Sequence, residues 1–181
     1  MKKILILYLL ILVQGKLSAQ TNHEFTLPEI VLMGIEPDNS SITLELDSPG
    51  EAGSMNLSKV LTAAKRIIYT SALPEFDTRI ITAEKGYGTI PVGTKFYIKA
   101  SNCSLVLGIG NELGVGTGGE FLEIPKTGEA ITIISGIGSS FTGTGEGSGH
   151  DIDYKLEVTE MADLRATVSE NISIVFTILG N

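Results

Sequence analysis

Alternation of apolar and polar residues with a period of two runs through most of this chain, and it limits the fold more than any other feature. In residues 41–47, Ile42, Leu44 and Leu46 fall on one side of an extended backbone; in 94–100, Phe96 and Ile98 do, with Lys95 and Lys99 opposite. The pattern returns with Ile152, Tyr154, Leu156 and Val158 in 150–158, and with Ile172, Ile174, Phe176 and Ile178 in 171–179. Successive side chains of a strand point to opposite faces, so each segment predicts a strand with one buried face. Shorter apolar runs predict strands at 29–34, 66–70, 78–83, 104–108, 121–124 and 130–137. Short strands of this kind predict an all-β fold, an immunoglobulin-like or pilin-like β-sandwich.

Turn residues fall between the predicted strands, at Pro49-Gly50, Gly86-Tyr87-Gly88, Pro91-Val92-Gly93 and Thr127-Gly128. Glycine supplies positive φ there and proline presets the turn. Residues 57–66 break the pattern. Leu57, Val60, Leu61 and Ala64 are spaced i, i+3, i+4 and i+7 after Asn56, which predicts one short capped helix covering an end of the sandwich.

Residues 1–19 read as an export signal, with Lys2 and Lys3, an apolar stretch 4–13, and Leu17-Ser18-Ala19 as the cleavage site. Ten apolar residues are too few for a membrane-spanning helix, which needs about 20. Position 20 is Gln, so the cleaved end offers no thiol for lipid attachment. The expectation is a protein secreted beyond the cytoplasm, in the periplasm, at the cell surface or outside the cell, with no membrane span. Residues 20–181 are then a single domain. Loss of Lys2, Lys3 and Lys16 leaves 10 basic against 21 acidic residues, a net charge of −11. A nucleic-acid partner is not expected, because neutralising phosphates needs a basic face.

Chemistry-bearing residues are sparse. Cys103 is the only cysteine, so no internal disulfide is available. A nucleophilic thiol needs an activating histidine, and only His23 and His150 exist; Cys103 reads as a small inward-facing residue. Thirteen of the 21 glycines lie between Gly108 and Gly149. The run from Gly108 superficially fits a dinucleotide-binding turn, but more glycine and a short strand follow where that turn would open a helix. The runs 108–119 and 136–149 read as flexible loops. Glu146, Asp151 and Asp153 are the one crowd of hard oxygen donors, of the type calcium prefers; the simpler reading is a polar outer strand face. His150 lacks a second usable histidine or thiol for zinc. No GxSxG elbow occurs, and without tryptophan the platforms for a sugar reduce to Tyr69, Tyr87, Tyr97 and Tyr154. No catalytic, cofactor-binding or metal residue is therefore assigned, and an enzyme is not expected.

Met161-Ala162-Asp163-Leu164, followed by the alternating run from Asn171 to Ile178, resembles the closing segment of bacterial fimbrial subunits, the spore-coat-U-like group of pilins in particular. Residues 165–170 lengthen the link between the two pieces, and the cysteine pair common in that group is absent. The chain is also similar to secreted proteins of Bacteroidetes-type bacteria, which implies no function. The fimbrial resemblance implies a structural or adhesive role at the surface of a Gram-negative bacterium. It also implies self-assembly, or assembly with other appendage subunits, by β-strand addition through residues 25–33, where Phe25, Leu27, Ile30 and Leu32 would act as the donor and Pro28 interrupts the ladder. The alternative is a stand-alone extracellular module that binds a glycan or calcium.

Overall fold

A computed structural model of the chain describes residues 24–47, 49–103, 113–164 and 171–181. The export signal, His23, the expected strand at 104–108 and the link 165–170 lie outside the described residues. The described residues form nine strands in order: β1 (Ile30–Glu36), β2 (Ser58–Ala72), β3 (Arg79–Gly88), β4 (Thr94–Ala100), β5 (Leu122–Glu123), β6 (Ile131–Ile137), β7 (Ser140–Phe141), β8 (His150–Val158) and β9 (Ile172–Gly180). They form two antiparallel sheets. One has six strands in the order β1-β2-β8-β4-β5, with β7 also on β2; the other has the order β6-β3-β9. The fold is an all-β sandwich.

The period-two pattern explains which face each strand buries. Thr94, Phe96, Ile98 and Ala100 of β4 are buried and the three residues between them are half-buried. Ile152 of β8 and Ile67 of β2 complete the inner face of the larger sheet. Opposite them lie Ile81 and Ala83 of β3 with Ile133, Ile134 and Ile137 of β6. Each fully buried isoleucine contributes about 1.5–3 kcal/mol of transfer free energy, so this branched-aliphatic layer is the main cohesive term. Ile172, Ile174, Phe176 and Ile178 of β9 pack against the same core but remain half-buried, because β9 is an edge strand.

Four expectations need correction. Residues 57–66 are not a helix: from Ser58 they belong to β2, which pairs β8 with a bulge. Leu61 opposes Tyr154 and Lys65 opposes Ile152, so three residues of β2 face one of β8. The two extra residues shift the apolar spacing from two toward that of a helix. Ala63 takes a left-handed φ of 47° at the bulge, and its N–H donates to the Asp153 carboxylate at 2.7 Å. Among the described residues the one helical turn lies elsewhere, as a 3-10 turn at Met161–Asp163.

Residues 41–47 keep their alternation, with Ile42 and Leu44 packed on the core, but among the described residues they pair with no strand. They are tethered at both ends by side chains: Lys65 reaches Asp38 and Ser40 at 3.1 Å each, and Lys59 reaches Asp47 at 2.9 Å. The expected turn at Gly86-Tyr87-Gly88 is instead the end of β3, with an irregular register between Lys85 and Gly88. The second glycine run is a packed segment rather than a loose loop. It carries β7, buries Thr142 and Ser148, and exchanges hydrogen bonds with Tyr69 through Thr142.

Candidate functional site: the β1 edge

The segment expected to mediate assembly divides at Ile30. Phe25 and Leu27 lie on an extended stretch ahead of β1 and are 86% and 92% exposed. From Ile30 onward the chain is the edge strand of its own six-stranded sheet, paired to β2 along all seven residues. Val31, Met33 and Ile35 oppose Ser71, Tyr69 and Ile67, whose side chains point inward; Ile30, Leu32, Gly34 and Glu36 therefore point outward.

Two arginines fix the ends of this strand. Arg79 of β3 is buried and crosses the sandwich: it donates to the Ile30 carbonyl at 2.9 Å and to Ser71 Oγ at 2.8 Å, and it pairs with the Glu29 carboxylate. Arg66 of β2 pairs with Glu36 at 3.4 Å and with Asp151 at 3.0 Å, and donates to the Gly145 carbonyl at 2.8 Å. The Gly145 N–H returns a hydrogen bond to Glu36 at 3.1 Å. A buried guanidinium stripped of its carboxylate is costly, so these contacts hold β1 in register. Between the clasps, an open groove of about 380 Å³ is lined by Leu32, Gly34, Ile68, Thr70 and Phe141 among others.

The other residues singled out in the sequence serve the scaffold. His150 is buried, and its Nδ1 lies 2.7 Å from the Ser101 carbonyl, which can only accept, so Nδ1 carries the proton. Nε2 then accepts from the Tyr69 hydroxyl at 3.1 Å, and that hydroxyl accepts from the Gly114 N–H at 3.0 Å. The two rings stack with centroids 5.6 Å apart. Burial holds His150 below its ordinary value of 6.5 and pushes the Tyr69 hydroxyl up to about 12. With both ring nitrogens engaged, His150 is not poised to activate Cys103, which is half-buried.

The acidic crowd does not converge. Asp151 belongs to Arg66, while Asp153 pairs with Lys99 at 2.7 Å and caps the β2 bulge. Glu146 is exposed on its loop. Among the described residues no three His, Cys, Asp or Glu side chains are placed to hold a metal ion. The outer face of the larger sheet is instead a band of cross-strand pairs. Lys99 also lies 4.9 Å from the Phe121 ring centroid, Lys155 lies 5.1 Å from that of Tyr97, and Lys95 meets Glu123 at 2.6 Å. Among the described residues no helix is long and apolar enough to cross a membrane. Compared with protein families, curated proteins and solved structures, the chain matches none.

Proposed function

We propose that this chain is a secreted structural or adhesive surface protein, a fimbria-like subunit that self-assembles by β-strand addition through residues 25–33. The observation that carries this reading is the edge strand β1. It presents Ile30, Val31 and Leu32 at 40%, 46% and 66% exposure, directly after a stretch that leaves Phe25 and Leu27 uncovered. Monomeric proteins blunt such edges with charge, proline or a bulge, and an exposed apolar edge invites a further strand. Secretion follows from the export signal read at residues 1–19, and the resemblance to fimbrial subunits supplies the setting. Antibody labelling of intact bacteria, read by electron microscopy, tests it. Label on the surface or along appendages is expected; label found only after the cells are permeabilised would overturn the assignment.

A further inference from the structure

We propose that two copies of this chain pair antiparallel through the free edges of their β1 strands, centred on Met33, so that each Leu32 seats over the partner's Gly34. The inference rests on the reading of residues 25–33 as the assembly segment and specifies how that segment works. Among the described residues β1 is paired on one side only, so the other side presents a row of backbone donors and acceptors. No charge and no proline interrupts it between Glu29 and Glu36.

Shape selects the register. On the outward face a large exposed side chain, Leu32, stands two residues from one that has none, Gly34; both line the groove, and Ile68 bounds the space at Gly34, 3.4 Å from where a Cβ would sit. A two-fold axis at Met33 sets residue 32 of each copy opposite residue 34 of the other. Both leucines then lean over a glycine toward Ile68, within reach of neighbouring cross-strand positions. The same register places Ile30 opposite the partner's Glu36, an acid already held by Arg66 and the Gly145 N–H; Glu29 is likewise held by Arg79. No bare like charges meet. The edge of β9 is also uncharged, but it carries no such knob and notch.

The arginine clasps decide between two modes of addition. A strand that is given up to a neighbour must leave its own sheet, whereas β1 is held by Arg79 at its start and Arg66 at its end. It is offered as an edge and stays in place. Because a two-fold contact is closed, β1 joins two copies, and growth into an appendage needs a second contact elsewhere on the chain.

The test uses residues 20–181 carrying Cys103→Ala. Adding Met33→Cys should give a covalent dimer on mild oxidation. Ile30→Cys with Ala72→Cys, opposed in register, locks β1 to β2 and should leave association intact by sedimentation. Leu32→Lys should weaken it at least about tenfold. Association abolished by the lock would overturn edge pairing in favour of strand exchange and leave the assembly reading standing. Association without the Met33→Cys cross-link, and indifferent to Leu32→Lys, would place the contact on another edge and overturn the proposal. A parent protein that is monomeric at its highest soluble concentration would overturn both.

Discussion

Replacing Tyr69 by Phe isolates one buried polar chain. The ring, its stacking on His150 and the packed volume are kept; only the hydroxyl goes. That hydroxyl accepts from the Gly114 N–H at 3.0 Å and lies 3.1 Å from His150 Nε2, and both Gly114 and His150 are buried. Each group left without a partner costs about 1–3 kcal/mol, so the pair should cost about 2–6 kcal/mol. Urea unfolding followed by far-ultraviolet circular dichroism should show a midpoint lower by about 1–3 M with an unchanged slope, for a slope of about 2 kcal/mol/M. A pH series adds a second readout. Burial depresses the folded histidine below 6.5, so the unfolded state binds the extra proton first. Stability is then full above 6.5 and falls as pH drops below that value, with a slope of at most about 1.4 kcal/mol per pH unit. His150→Gln should flatten that part of the profile. An unchanged midpoint in Tyr69→Phe would refute the hydrogen-bond chain.

Three further outcomes follow from the same geometry. Asp153→Ala removes the acceptor for the Ala63 N–H and strands Lys99, and should cost about 2–4 kcal/mol in chemical unfolding, whereas Asp151→Ala, whose carboxylate is more exposed, should cost under about 1 kcal/mol. Gly93 has φ +80° and an added Cβ would sit 2.5 Å from the Glu160 carbonyl, so Gly93→Ala should lower the melting temperature by more than about 5 °C in a thermal scan. Mass spectrometry of the exported protein should find an amino terminus at Gln20, and an intact Met1 would contradict the export signal.

The sandwich was legible in the sequence wherever one face of a strand is buried without interruption, as in β4 and β8, where Phe96, Ile98, Ile152 and Tyr154 occupy the core positions their spacing implies. It was illegible at residues 57–66 because the bulge at Ala63 breaks the period, and a broken period of two imitates the spacing of a helix. Residues 41–47 mark the opposite limit: alternation reports burial, and Ile42 and Leu44 are half-buried, but it does not report whether the backbone finds a ladder. The clasps on β1 left one readable trace. Of the two clasps only Arg79 is marked, because it shares its parity with Ile81 and Ala83 and is a cation at an inward position; Lys65, which tethers Asp38 and Ser40, is marked in the same way beside Ile67 and Tyr69. Such residues need a partner across the core, but which carboxylate answers is set by chain crossings that local pattern does not encode. The His150 chain was hidden for the same reason, since Tyr69, Ser101 and Gly114 come from three separate segments.

The central claim, that this chain associates through the β1 edge, is tested most directly by sedimentation velocity on residues 20–181 over a concentration series, beside the variant Ile30→Lys with Leu32→Lys. Both side chains point outward and are exposed, so at concentrations low enough for the parent to be monomeric the variant should melt at the parent's temperature. The account predicts a larger species that grows with concentration in the parent and a monomer throughout in the variant. Equal association of the two proteins, or a parent that stays monomeric across the series, would contradict it.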